Sequence, residues 1–279
     1  MAEIHSKVTP VSGVSFRPSS RAVFLFFLAL MLCWGTVSPA AERKVGVVLI
    51  HGKWGSPDRN IDRLALSLRG RGYEVITPVM PWSKQRGYDA DYPAALALID
   101  ESVRELRKAG ATVIVVAGHS MGANAAIAAA AYSHEPIDAL IAIAPGHTPD
   151  QPKYHNKVAV SLEEAKAMIT AGKGAEKGSF LDLNAGREST FPMAAAVYVS
   201  YNDPDGMASM PISTSKVKPG IPLLWIIAGP EDVLFKQGQG YVFDHWPSNP
   251  KNRFLIMNTS HLNAPNDAVG DVIEWIRGL

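Results

Sequence analysis

The pentapeptide Gly118-His119-Ser120-Met121-Gly122 has the residue types and spacing of a nucleophile elbow. An apolar run, Thr112 to Ala117, precedes it and a small-residue run, Ala123 to Ala131, follows it. That is the strand, sharp turn and helix in which a G-x-S-x-G pattern exposes a serine. The flanking glycines let strand and helix pack closely, and the strained turn drives the Ser120 hydroxyl into the open, where it can attack a carbonyl carbon. Met121 opens the helix, so its backbone N–H has no partner within the helix and is free to hold an oxyanion.

A serine hydroxyl is a weak nucleophile. It needs a base, and the base needs an orienting carboxylate, both brought from distant parts of the chain. Asp232 follows the apolar run Leu223 to Ala228 by way of Gly229-Pro230-Glu231, and His261 follows the last apolar run by way of Asn258-Thr259-Ser260. Residues just beyond the carboxyl end of a parallel strand face the active-site edge of a sheet. Ser120, Asp232, His261 is also the chain order expected for an elbow serine, its acid and its base. Glu231 adjoins Asp232 and is the alternative acid. His245 precedes the last strand and reads as a loop or cap residue. His119 neighbours the serine, whereas a base has to approach the hydroxyl from another loop.

The second oxyanion donor is expected in the turn after the first strand, His51-Gly52-Lys53-Trp54-Gly55. Gly52 permits close backbone approach, and the N–H of Lys53, or alternatively of Trp54, is the donor. His51 reads as a packed or hydrogen-bonded turn residue. Trp54 reads either as the lining of an apolar acyl pocket, and so substrate-binding, or as a core tryptophan.

These residues have to be carried by alternating strands and helices. Continuous apolar runs at Lys44–Ile50, Thr112–Ala117, Asp138–Ala144, Pro222–Ala228 and Arg253–Met257, with a shorter strand at Tyr73–Thr77, suit a sheet buried on both faces. Between them, helical spacing places Ile61, Leu64, Ala65 and Leu68 on one face of the segment Ser56–Arg71. Asp91 caps a helix that turns Leu96, Ile99, Val103 and Leu106 inward, and a terminal helix carries Val269, Val272, Ile273 and Ile276. The alternation predicts a mainly parallel sheet, wound right-handedly and covered on both faces. The stretch from Ala144 to Pro222 exceeds what a crossover needs. Within it Ser161 and Glu164 are spaced as a capping box, and the glycine-rich stretch Ala171–Gly178 reads as a flexible loop. The segment from about 150 to 218 is therefore expected to be a cap over the carboxyl ends of the strands, where open sheets place their sites.

Composition narrows the partners. The chain has 279 residues, 47% of them hydrophobic, enough for a large single core. With 27 Lys and Arg against 26 Asp and Glu and no long basic cluster, nucleic acid is excluded as an expected partner. The seven histidines from His51 to His261 show no H-E-x-x-H or comparable ligand spacing, and no dinucleotide fingerprint follows a strand, so neither metal nor cofactor is expected.

The first 40 residues read as a secretory signal. Lys7, Arg17 and Arg21 precede the apolar segment Ala22–Trp34, and small residues follow, with cleavage expected after Ala40 or Ala41. Secretion or a periplasmic location follows, with membrane attachment only if the segment is retained. The single cysteine, Cys33, would leave with the signal, so the mature chain, 41–279, has no disulfide and no cysteine nucleophile.

On the pentapeptide Gly118–Gly122, the His51–Gly55 turn, the Gly229-Pro230-Glu231-Asp232 run and His261 before the final helix, the chain resembles the α/β-hydrolase superfamily over essentially residues 44 to 279. The resemblance implies a serine hydrolase, esterase- or lipase-like, with Ser120, Asp232 and His261 as its triad and Lys53 and Met121 as its oxyanion donors. Larger members begin with an antiparallel hairpin before the oxyanion strand, whereas the signal here ends almost at Lys44. About six mostly parallel strands are therefore expected. The resemblance leaves the substrate open, because esterases, lipases, thioesterases, peptidases and cofactor-free perhydrolases share this set. Cleavage of a small carboxylic ester of short or medium acyl chain is the expected activity. The alternatives are a thioesterase or peptidase of the same fold, or a non-catalytic protein that binds a ligand under the cap.

Overall fold

A computed structural model describes residues 43–184 and 186–279, together with the isolated positions 1, 9 and 13. The leader with its apolar segment and Cys33 lies outside the described residues. No helix among the described residues is long and apolar enough to cross a membrane.

The chain enters through β1 (Val45–Ile50), then α1 (Asp62–Arg69), β2 (Glu74–Ile76), α2 (Tyr92–Lys108), β3 (Val113–His119), α3 (Met121–Tyr132) and β4 (Ala139–Ile143). An insertion follows, made of α4 (Pro152–Thr170), the hairpin β5 (Lys177–Asn184) and β6 (Arg187–Ala194), α5 (Ala195–Asn202) and the short α6 (Met210–Thr214). The chain returns as β7 (Leu223–Ile227) and β8 (Arg253–Ile256) and closes on α7 (Ala264–Asp267) and α8 (Val269–Gly278). Six strands form one sheet in the order β2-β1-β3-β4-β7-β8, and every neighbouring pair is parallel. The architecture is the expected α/β-hydrolase fold.

Alternation of side chains along each strand divides the core into two halves. Val48 and Ile50 of β1, with Ile114 and Val116 of β3, join Ile99 and Val103 of α2 and Ile127 of α3. Val47 and Leu49, with Val115 and Ala117, join Leu64 and Leu68 of α1 and Val272 and Ile276 of α8. Continuous apolar runs follow because both strand faces are covered. Strand order reverses direction between β1 and β3, so a crevice opens beyond the carboxyl ends of those two strands, the usual place for a ligand in an open sheet.

Three local expectations are corrected. The helix anticipated from Ser56 begins only at Asp62, because Asn60 lies at φ 67, a left-handed conformation that a right-handed helix cannot include. Ser161 does not cap a helix. It lies inside α4, which starts nine residues earlier at Pro152 with the proline in the first turn, and its hydroxyl accepts the Leu181 N–H of β5 at 3.0 Å. The loop is shorter than expected, because Lys177 and Gly178 already belong to β5, paired with Ala194 and Met193 of β6. The capping of α2 is as expected: Asp91 Oδ1 accepts the Ala94 N–H at 2.8 Å.

Candidate active site

β3 ends at His119 and α3 begins at Met121, leaving Ser120 alone to make the turn. Its backbone sits at φ 56, ψ −119, far from the conformations open to most side chains and costing on the order of 1–3 kcal/mol. The surroundings enforce it. Ser120 N–H donates to Ile143 O of β4 at 3.0 Å, and Ser120 O accepts from Ala123, Asn124 and Gly146. The flanking glycines are sterically required: a Cβ on Gly118 would lie 2.1 Å from Gly122 O, and one on Gly122 would lie 2.3 Å from Ile50 O. Strand β3, helix α3 and strand β1 thus meet at backbone contact, which fixes the hydroxyl against the end of β1.

Three sequence-identified residues converge there. His261, in the loop between β8 and α7, places Nε2 3.0 Å from Ser120 Oγ. Asp232, in the loop after β7, has a fully buried side chain whose Oδ2 lies 3.9 Å from His261 Nδ1, within ion-pair reach but beyond a hydrogen bond. Two backbone N–H groups fix that carboxylate, Ala228 donating to Oδ2 at 3.0 Å and Leu234 to Oδ1 at 3.2 Å. Glu231 is exposed and makes no such contacts, which separates the two acidic neighbours. His245 is exposed in a short 3-10 turn.

The turn after β1 lies against Ser120, since a Cβ on Gly52 would come within 3.0 Å of Ser120 Cβ. Gly55 N–H donates to Gly52 O at 3.1 Å and Trp54 has φ 55, the positive value that a type II turn demands at its third position and usually gives to glycine. Trp54 N–H is committed to Trp82 O at 2.9 Å, which leaves Lys53 as the candidate donor in this turn. Among the described residues neither Lys53 N–H nor Met121 N–H has a partner. His51 is the packed residue expected. Its Nε2 accepts the Met80 N–H at 3.1 Å, so the proton is on Nδ1, which donates to Gly52 O at 2.8 Å, and burial lowers its pKa.

The side chains of Lys53 and Trp54 turn to the insertion. Lys53 Nζ donates to Asp182 Oδ1 at 2.6 Å and to Leu183 O at 2.9 Å, and Trp54 Nε1 donates to Asp182 Oδ2 at 3.0 Å. Both members of the ion pair are about 4% exposed. The Trp54 ring lies 4.4 Å from that of Phe191 on β6 and edge-on to Tyr88 at 5.5 Å. The insertion therefore sits on the His51–Gly55 turn, against the carboxyl end of β1.

Several contributors were missed by sequence reasoning. His119 Nε2 donates to the His261 carbonyl at 2.8 Å, steadying the loop that carries His261. Burial first, and the neighbouring His261 second, lower its pKa to about 3, so it is neutral. Gly146 keeps space at the hydroxyl, as a Cβ there would lie 3.0 Å from Ser120 Oγ. Asn124 on α3 donates to His147 O and Ala208 O, tying the loop after β4 to the end of the insertion. The spacing of the pentapeptide points to His119 and Asn124 only as neighbours of Ser120; their partners are 142 and 84 residues away. No cluster of three metal-ligating side chains occurs among the described residues.

A strand-elbow-helix serine at the switch point of a parallel sheet defines a class, and the comparison of families agrees. The family model described as the alpha/beta hydrolase family matches residues 47–272, and the chain belongs to that family. No curated protein matches it in sequence. Among solved structures it is similar to one from a study of two metagenome-derived lipolytic enzymes, LipS and LipT, with 19% identity, TM-score 0.60 and coverage of 85% of this chain and 94% of that one. A monoacylglycerol lipase of Paleococcus ferrophilus is similar at 18% identity and TM-score 0.59, over 83% of this chain and 93% of the lipase. So is the thioesterase domain from the curacin biosynthetic pathway, at 18% identity and TM-score 0.52, over 85% and 92%. At such identities the likeness is one of fold.

Proposed function

We propose that this protein is a serine hydrolase that cleaves carboxylic esters through an acyl-enzyme intermediate. The observation that carries the reading is the 3.0 Å contact between Ser120 Oγ and His261 Nε2 at a strained elbow flanked by two backbone N–H groups that have no partner among the described residues. In the first step Ser120 Oγ attacks the ester carbonyl while His261 Nε2 takes the hydroxyl proton. Asp232 stabilises the resulting imidazolium, the 3.9 Å gap closing as charge develops on the ring, since catalytic contacts tighten in the reacting complex. The N–H groups of Met121 and Lys53 hold the tetrahedral oxyanion. His261 returns its proton to the leaving alcohol, then activates water to release the acid.

Ester cleavage is favoured over thioester or peptide cleavage by the lipolytic and lipase neighbours, although the thioesterase neighbour shares the fold. The half-buried Trp54 ring, packed against Tyr88 and Phe191, supplies an apolar contact for a short or medium acyl chain. Export to the periplasm or medium, with cleavage near Ala40, is the companion proposal and rests on the basic-apolar-small pattern of the leader.

A fluorophosphonate probe and a panel of p-nitrophenyl esters, thioesters and peptide anilides test the reading together. Labelling of Ser120 with fastest turnover on esters is expected. An unlabelled, inactive wild-type protein would leave a hydrolase-fold binding protein instead, and the N-terminal residue of the exported chain tests the leader.

A further inference from the structure

Asp182 lies on β5 of the insertion, 129 residues from Lys53, yet its two carboxylate oxygens are taken by consecutive residues of the oxyanion turn. The Lys53 ammonium is on Oδ1 and the Trp54 indole N–H is on Oδ2. Burying such a pair is costly unless each charge is well satisfied, and a pair that only fastened the insertion could be replaced by apolar packing. Here the fastening falls on a turn whose backbone is itself strained. Trp54 occupies a positive φ that a bulky side chain disfavours, and such a conformation persists only where the surroundings over-determine it. On the backbone side the turn is held by Trp54 N–H to Trp82 O and by the Gly52–Gly55 bond. On the side-chain side, Asp182 supplies the polar contacts to both central residues.

We propose that Asp182 is a positioning residue for the oxyanion hole: by clamping Lys53 and Trp54 it holds the Lys53 backbone N–H toward Ser120, so that the seated insertion completes the site. The inference rests on the reading of Lys53 N–H as an oxyanion donor. It makes the hairpin more than a selector of substrates, because its register sets the strength of transition-state binding for every acyl group.

Steady-state kinetics of the full chain on p-nitrophenyl butyrate, with inhibition by an alkyl trifluoromethyl ketone, test it. The ketone adds Ser120 Oγ to its carbonyl and presents a tetrahedral oxyanion, so its inhibition constant reports the hole directly. Asp182→Asn is expected to lower kcat about a hundredfold, the scale of a 1 Å misplacement, with KM changed by less than about threefold. The inhibition constant should rise by the same factor as kcat falls. A folded Asp182→Asn protein whose kcat falls while the inhibition constant stays unchanged would overturn the proposal. Trp54→Phe keeps the ring packed on Phe191 and Tyr88 and removes only the indole donor, so it covers the case in which Asp182→Asn does not fold. About a fivefold change in both readouts is expected from the one lost hydrogen bond. If both quantities stay within twofold of wild type in Trp54→Phe and in any folded Asp182→Asn protein, the clamp is refuted while Ser120-dependent turnover of the wild type leaves the hydrolase reading standing. A wild type that neither turns over esters nor reacts with the probe refutes the hydrolase reading and the clamp with it.

Discussion

At the elbow, an added methyl group has nowhere to go: Gly118 and Gly122 each face backbone at little more than 2 Å from where a Cβ would lie. In the insertion the spacing is looser. Of the sixteen residues in β5 and β6, only Phe180, Asp182 and Met193 are buried, and Gly172 in the preceding turn has open space around it. The elbow is held by excluded volume between backbones, which acts at contact and tolerates no substitution. The hairpin is held by ring contacts, Phe180 on Tyr198 at 4.6 Å and Phe191 on Trp54 at 4.4 Å, by the Leu181 N–H on Ser161, and by one carboxylate seated on Lys53 and Trp54. One region is rigid because its atoms cannot be elsewhere; the other is placed by a few side-chain contacts, and so can vary in shape without disturbing the sheet.

Substitutions at the rigid region should produce the largest effects on rate. Ser120→Ala is expected to lower turnover about a millionfold and abolish fluorophosphonate labelling while leaving the thermal transition in place, checked by probe gel and calorimetry. Retained labelling would remove the elbow from the chemistry. Asp232→Asn is expected to cost roughly ten-thousandfold in kcat through loss of the imidazole's orienting anion, and Glu231→Gln at the exposed neighbour should stay within about twofold in the same assay. The reverse ranking would move the acid one residue.

Stability separates the two regions next. Gly122→Ala forces α3 away from β1 and should destabilise the fold by about 3 kcal/mol or more in urea titration, overpacking at backbone rather than at a yielding side chain. Equal losses at Gly122 and Gly172 would erase the contrast drawn above. Acid should act on both regions, because each contains a histidine kept neutral by burial. His119 supports the His261 loop, and His147, in the loop before the insertion, donates from Nε2 to Tyr201 O at 2.7 Å and faces the Tyr154 hydroxyl from Nδ1, both partners belonging to the insertion. Burial lowers both pKa values to about 3, with His261 adding to the shift at His119 and Lys53 adding to it at His147. Between pH 6.5 and about 3 the unfolded chain binds more protons at these sites than the native chain, so stability falls as pH falls through that window. On the order of 2–3 kcal/mol per histidine is expected to be lost by pH 4.5 relative to pH 7, read as a shift of the urea midpoint. Gly172→Ala carries the smallest effect, about 1 kcal/mol for a side chain placed at φ 76 with no atom to strike.

Much of the rigid region was legible in the chain because its signals are local. Apolar runs marked six strands, and the glycines around Ser120 marked the elbow within five residues. The positions of Asp232 and His261 just past strand ends marked which carboxylate and which imidazole come to that edge. The errors also have local causes. A capping-box spacing at Ser161 and Glu164 looks the same in sequence whether it opens a helix or lies inside one. Glycines at 172, 174 and 178 read as a loop, although Gly178 is in a strand where a Cβ would strike the Phe180 ring.

What the sequence by itself determined is therefore the sheet, the order of its strands' cargo and the identity of the residues that gather at Ser120, because hydrophobic period, glycine sterics and strand-end placement are properties of short segments. What only the tertiary structure decided is how that site is finished: the tautomer of His51, the bond from His119 to the His261 loop, and the seating of Asp182 on Lys53 and Trp54. Each joins residues that no short-range pattern relates. A lysine and an aspartate 129 positions apart carry no mark of being partners until folding removes both from water, and only then does their pairing become the lowest-energy way to bury them.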